Sequence, residues 1–328
     1  MSSLPDNTTL IANSDVWIEG EALLQLSRIA SLPRCFKAVG LPDIHPGPGI
    51  PIGAAFAFDD EIRPLLVGSD AGCGVAVVAI SKLKIQGDKL MRRLDEEFDE
   101  DPLPDLNRDA MLDAMWSKGP LGLMDLDVPD SLLELVEGWR EEPKWLAAID
   151  SGQRPEGWTT RPGTIGGGNH FLEVSRVSQV QDRQEAATVG LKPGGFAVVA
   201  HSGSRGLGRS LIDTWGKEAL RGADAGEYLR QLAGCVRFAR GNRALLTWRM
   251  LNAAGSARRV TGVFDVTHNT VLPAIVDGRD AWVHRKGSAP ADDGMFTIVL
   301  GSRGAESWVM VGCGDAACLC SVAHGAGR

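Results

Sequence analysis

Three short apolar runs in this chain each end in a histidine: FAVVA runs into His201-Ser-Gly, FDVT into His268-Asn, and AWV into His284-Arg-Lys-Gly. Runs of this length, rich in β-branched residues and closed by turn-forming ones, predict buried strands. The ends of strands on a rigid scaffold are where polar side chains converge on sites. Any fold this chain adopts must therefore bring several strand ends, and their imidazoles, out of an apolar interior. The other three histidines, His45, His170 and His324, also stand beside proline, asparagine or glycine. Six of six in such settings is not the pattern of scattered surface residues.

The rest of the chain supplies both kinds of element. Leu23, Leu24, Leu26 and Ile29 recur at helical spacing over 17–31, and a strand is expected at 36–40. In LPDIHPGPGIPIGAAFAF (41–58) the prolines remove donors and bias their predecessors to extended backbone, so its first half cannot be helical. It leads into an apolar strand near 52–58, and GVAVVAI (74–80) reads as a second. Between about 85 and 160 the character changes. Segments 86–99 and 130–150 look helical, with the acidic stretch Asp95–Asp105 between them, which suggests a helical insertion. Strand signals return at 195–200, 262–267, 281–285, 296–300 and 307–312, interrupted by a helical tract near 209–255. Strands spread along the whole length predict an α+β fold, mixed β-sheets with flanking helices, as a single domain over 1–328.

Composition narrows the classes. No apolar run approaches the roughly 18 residues of a membrane span, and the N-terminus has neither the basic nor the apolar region of a secretory signal. Six cysteines in 328 residues are too few for a disulfide scaffold. A cytoplasmic protein is expected. The net charge of −8 argues at first against a nucleic-acid partner, but the charge is uneven. Residues 1–200 carry 18 basic and 31 acidic groups, and residues 201–328 carry 16 and 11. Basic groups that converge locally can still meet phosphate on an acidic protein.

Asp70 and Cys73 lie three residues apart in Ser-Asp-Ala-Gly-Cys-Gly. Alone, that spacing also describes an ordinary buried cysteine. Joined with the histidines it suggests a metal site of mixed oxygen, nitrogen and sulfur donors, suited to zinc or manganese. Cys313, Cys318 and Cys320 lack paired C-x-x-C spacing and read as ordinary buried thiols. Gly166-Gly167-Gly168-Asn169 and Gly301-Ser302-Arg303-Gly304 could turn backbone N–H groups toward a phosphate. Neither is a P-loop.

Taken together, Asp70-x-x-Cys73, GGGNHFLEV (166–174), HSGSRGLG (201–208), THN (267–269), HRKG (284–287), GSRGAES (301–307) and HGAGR (324–328) resemble the RtcB family of GTP- and manganese-dependent RNA ligases, in the family's order. The LPDIHPGPGIPIG opening is more similar to the short bacterial branch. The resemblance implies a catalytic domain built around a central metal cleft. In it Cys73 would bridge two Mn²⁺ ions, with His201 and His268 on one and Asp70 and His170 on the other. His324 would be the nucleophile toward GTP. Asn169, Phe171, Glu173, Ser302, Ser307, Gly325 and Ala326 would hold the guanylate. His45, His284, Arg285 and Lys286 lie in family motifs without an assigned role, and Arg205, Arg285, Lys286 and Arg303 are candidate partners for phosphate oxygens.

The implied activity joins RNA 3′-phosphate or 2′,3′-cyclic phosphate ends to 5′-hydroxyl ends through a histidine–GMP intermediate, in RNA repair or tRNA splicing. RNA and GTP are then the partners, with no membrane. Family members continue for several tens of residues beyond the HGAGR motif, so the usual C-terminal tail is expected to be absent here. That expectation opens a second reading, a metal-dependent hydrolase that opens cyclic phosphates without sealing, and a third alternative is a non-catalytic RNA-binding relative.

Overall fold

A computed structural model describes residues 4–156, 158, 161–216 and 218–325. The first half of the chain forms β1 (Thr8–Leu10), α1 (Gly20–Ala30), β2 (Cys35–His45), β3 (Ile52–Phe58), β4 (Gly74–Ile80), α2 (Gly87–Asp99), α3 (Arg108–Lys118), α4 (Asp130–Val136) and α5 (Lys144–Ala147). Then come β5 (Phe171–Arg176), α6 (Arg183–Thr188), β6 (Phe196–Ser202), α7 (Leu207–Trp215) and α8 (Gly222–Ala253). The remainder is mostly strand: β7 (Val260–Thr267), β8 (Asn269–Val276), β9 (Arg279–Lys286), β10 (Ser288–Pro290), β11 (Phe296–Val299), β12 (Trp308–Val311) and β13 (Ser321–Ala323). The fold is α+β, as the sequence predicts.

The chain divides into two compact units. The first comprises Met1–Ala71, Gly208–Leu229 and Val266–Arg328. Its main sheet has the order β1-β2-β3-β9-β8, parallel between β1 and β2 and antiparallel elsewhere. The strand β3 shows why its sequence is apolar throughout. Its side chains alternate between faces, and both faces are covered. Ala54, Phe56 and Phe58 pack with Ala22, Leu26 and Ile29 of α1, while Ala55 and Ala57 pack with Val283, Leu319 and Ala323. Leu24 of α1 points outward and is exposed.

The second unit comprises Gly72–Leu207 and Arg230–Asp265. Its sheet has the order β5-β6-β4-β7. Both β4 and β5 run antiparallel to β6, with Val75 and Phe171 each opposite His201. The residues just before β4 and β5 therefore lie at the C-terminal end of β6. Those residues are Cys73 and His170. The stretch of α8 in this unit is buried almost all round, polar side chains included: Arg237, Arg240, Asn242, Arg243, Thr247 and Arg249 are all nearly inaccessible.

Several elements depart from the sequence expectation. The extended backbone of β2 runs on through Pro42 to His45, beyond the predicted 36–40. The expected helix over 130–150 is broken after Val136, and α5 restarts only behind Pro143. The acidic stretch is followed by an unpredicted helix, α3, capped where Asn107 accepts a hydrogen bond from the Ala110 N–H at 3.0 Å. The unpredicted β8 contains Pro273, which is tolerated because β8 is the edge strand. Cys313 is exposed and Cys318 and Cys320 are half-buried, so they are not the fully buried thiols that their spacing suggested.

Candidate metal centre

In the second unit the register of the sheet gathers three of the predicted ligands. The Cys73 Sγ lies 3.2 Å from His170 Nε2 and 3.3 Å from His201 Nε2, and the three donor atoms all fall within 4.8 Å of one another. Cys73 and His201 are buried and His170 is half-buried. The Nδ1 of His201 lies 3.1 Å from the Asn169 carbonyl oxygen. A carbonyl can only accept, so Nδ1 carries the proton and Nε2 turns its lone pair toward the thiol. That is the tautomer a metal ligand needs, held by an outer hydrogen bond as in many metal sites. One thiolate and two imidazoles suit a first-row divalent ion. The Phe171 ring stands edge-on to His201, with centroids 5.5 Å apart. Glu173 lies two residues further along β5 and accepts from the Ser175 hydroxyl at 3.3 Å.

The first unit brings together a second group. His268 and His324 stand edge to face with ring centroids 4.8 Å apart, and both are buried. The Nδ1 of His324 donates to Asp43 Oδ2 at 3.0 Å, and the same oxygen accepts from the Gly325 N–H at 3.0 Å. Gly325 forms a bridge with Leu300, and the Leu300 N–H donates to the His324 carbonyl at 3.0 Å. These bonds bring the 301–307 loop up to His324, which immediately follows β13. In that loop the Ser307 hydroxyl accepts from the Gly301 N–H at 3.1 Å, while Ser302 is exposed. Asp70 sits half-buried in a turn, its carbonyl accepting from Asn269 Nδ2 at 3.1 Å. Ala326 lies outside the described residues.

The two histidines without a predicted role separate cleanly. His284 is wholly inaccessible. Its Nδ1 donates to the Trp282 carbonyl at 3.1 Å and its Nε2 accepts from the Arg63 N–H at 2.9 Å. With both nitrogens used, burial pushes its pKa down to about 3 and it stays neutral. It is a core residue. His45 is half-buried, and its Nδ1 donates to the Asp43 carbonyl at 2.8 Å. Arg285 is buried too, and burial lowers its pKa to about 10. It donates to the Leu319 carbonyl and the Ser321 hydroxyl at 3.0 and 2.9 Å, so it braces the turn before β13 and does not face solvent. Arg303 is exposed. Arg205 lies along the Gly166 turn, where a Cβ on Gly166 would meet its guanidinium.

Asp43 is the functional candidate that sequence reasoning missed. It stands in the quoted 41–58 run, two residues before His45, but nothing local marks its carboxylate as the partner of a histidine near the other end of the chain.

Comparison with known proteins identifies the family. The sequence pattern of the family described as "tRNA-splicing ligase RtcB" matches residues 25–226 and 218–328. The chain is 36% identical over 335 residues to the RNA-splicing ligase RtcB2 of Escherichia coli, covering 99% of this chain and 77% of that protein. It is 29% identical to the RNA-splicing ligase RtcB of Mycobacterium tuberculosis, over 93% of this chain and 83% of the relative. For the tRNA-splicing ligase RtcB of Pyrobaculum aerophilum the identity is 28%, over 92% and 74%. A family pattern covering nearly the whole sequence, together with a relative at that identity and coverage, makes the assignment: the chain belongs to the RtcB family.

Proposed function

We propose that this protein is a GTP- and Mn²⁺-dependent RNA ligase that joins RNA 3′-phosphate or 2′,3′-cyclic phosphate ends to 5′-hydroxyl ends. The observation that carries the proposal is the cluster of Cys73, His170 and His201, a donor set built for a metal ion in a chain whose relatives are named as RNA-splicing ligases. By the family resemblance, Asp70 and His268 complete the ligand set for two Mn²⁺ ions. Bound there, the ions would supply Lewis acidity at phosphate oxygens.

The chain's own groups do the rest. Asp43 holds the Nδ1 proton of His324, so its Nε2 carries the lone pair. A neutral imidazole is a competent nucleophile near neutral pH. Nε2 attacks the α-phosphorus of GTP, a P–N bond forms, and pyrophosphate leaves. The GMP then passes to an RNA 3′-phosphate, the P–N bond breaks, and the imidazole is regenerated. A 5′-hydroxyl next attacks the activated phosphate and expels GMP, closing the phosphodiester. A 2′,3′-cyclic end is first hydrolysed to the 3′-phosphate. Asn169, Phe171, Glu173, Ser302, Ser307, Gly325 and Ala326 are assigned to the guanylate, and Arg205, Lys286 and Arg303 to phosphate oxygens. Residues 1–328 act as one catalytic domain in this reading, with α2–α5 as an insertion, and the site of action is the cytoplasm. Among the described residues no helix is long and apolar enough to cross a membrane.

The test is covalent labelling. Incubation with Mn²⁺ and GTP labelled at the α-phosphate should label the protein, and His324→Ala should abolish the label. Label that persists in that variant overturns the nucleophile assignment. Wild-type protein that hydrolyses cyclic phosphate but never takes label would be a hydrolase instead.

A further inference from the structure

Arg243 of α8 is wholly buried beside the metal cluster's own strands. Its Nε and Nη2 donate to Asp265 Oδ2 and Oδ1, both at 2.7 Å, and the Asp265 side chain is as inaccessible as the guanidinium. The third nitrogen, Nη1, makes a different pair of bonds. It donates to the Gly72 carbonyl at 3.0 Å and to the Ser202 carbonyl at 2.8 Å. Gly72 immediately precedes Cys73, and Ser202 immediately follows His201. One nitrogen thus pins the backbone on both sides of the Sγ–Nε2 contact.

Neighbouring contacts extend the brace. Asn242 donates to the Ser202 hydroxyl and to the Thr164 carbonyl, each at 3.0 Å, and accepts from the Gly163 N–H at 2.8 Å. This ties down the start of the loop that ends at His170. Gly72 itself has φ of +79°, and a Cβ there would lie 3.0 Å from the Cys235 carbonyl oxygen on α8. The turn before the thiol is therefore seated directly on the helix.

From this geometry we infer that Arg243, oriented by Asp265, is a positioning residue that fixes the separation of the Cys73 thiol and the His201 imidazole and so sets the affinity of the site for a divalent ion. The inference rests on the metal reading of the cluster and assigns a role outside the ligand set. A buried ion pair is in itself weak evidence for stability, since apolar residues of similar volume often replace one without loss. Stability alone does not require the third nitrogen to reach the two carbonyls that flank the donors. Lysine cannot substitute, because one ammonium cannot span both carboxylate oxygens and both carbonyls.

The experiment titrates the full chain with Co²⁺ alone and follows the thiolate-to-cobalt charge-transfer band. Arg243→Ala strands a buried carboxylate and threatens the fold, so the main variant is the double change Arg243→Met with Asp265→Leu, which removes both charges and keeps the volume. It should unfold cooperatively on heating and bind Co²⁺ about 10–100-fold more weakly, the scale of outer-shell losses at metal sites. A folded double variant with wild-type affinity overturns the inference. If the double variant does not fold, Arg243→Lys decides, and wild-type affinity there overturns it equally. In the unmodified protein the Arg243 Nε–H resonance should shift when Zn²⁺ binds, and an unmoved resonance counts against the inference. Wild-type protein that gives no cobalt band would remove the metal reading itself, and this role with it.

Discussion

His324 Nδ1 and Asp43 Oδ2 lie 3.0 Å apart across a sequence separation of 281 residues. The carboxylate can only accept, so the bond fixes which imidazole nitrogen bears the proton. Asp43→Asn removes that constraint, because an amide can also donate to Nδ1 and leave the proton on Nε2. Guanylylation of His324 from labelled GTP should then fall by up to about 10⁴-fold, the loss seen when a carboxylate that holds a catalytic histidine's tautomer becomes an amide. Co²⁺ binding at Cys73, His170 and His201 should be unchanged. Labelling at the wild-type rate would show that the tautomer is set by something other than Asp43.

What could be read from the sequence follows a physical divide. β3, β4 and β6 were legible because their apolar runs are buried on the sheet and bounded by turns, and the imidazole of His201 at the end of the β6 run marked the site. Hidden elements broke a local rule for a tertiary reason. β8 carries Pro273 because it is an edge strand, and the 130–150 helix is interrupted before Pro143. The supporting residues were not legible at all. Asp43, Asp265 and Arg243 look like ordinary charges in a stretch of sequence, and their roles exist only through partners far along the chain. His284 errs in the other direction: it sits in a motif beside Arg285 and Lys286, yet both its nitrogens are consumed in the core.

The Cys73 thiol is the one soft donor of the cluster. Cys73→Ser keeps the shape and loses the thiolate, so the cobalt charge-transfer band should vanish. Affinity should fall by more than the about 10–100-fold expected from an outer-shell change. Because a thiol binds a metal ion as the thiolate, Co²⁺ binding should release a proton in the wild type. Binding with no proton released would mean that the ion sits elsewhere.

His284 makes folding stability depend on pH in a defined direction. Burial pushes its pKa down to about 3 in the folded protein, from an ordinary value near 6.5. Between those values the unfolded chain binds a proton that the folded chain refuses. The contribution is therefore fully present above about pH 6.5 and is lost as pH falls toward 3, at about 1.4 kcal/mol per pH unit. In urea unfolding, the stability gap between wild type and His284→Asn should narrow by about 2 kcal/mol from pH 6.5 to pH 5. A gap that stays constant over this interval would mean that the buried imidazole titrates normally.

Gly325 has φ of +94°, and a Cβ there would lie 2.1 Å from the Leu300 carbonyl oxygen and 2.4 Å from its nitrogen. No side chain fits without breaking the Leu300–Gly325 bridge. The same residue donates its N–H to Asp43, so Gly325→Ala should loosen the 301–307 loop and the histidine's carboxylate together. We expect GTP affinity to fall at least tenfold, about 1.4 kcal/mol, with Co²⁺ binding retained. Gly304→Ala is the control: its φ is also positive, at +88°, but nothing lies within 4 Å of its Cβ position. If the two substitutions weaken GTP equally, backbone strain in the loop accounts for the loss, and the bridge to Leu300 does not position the guanylate.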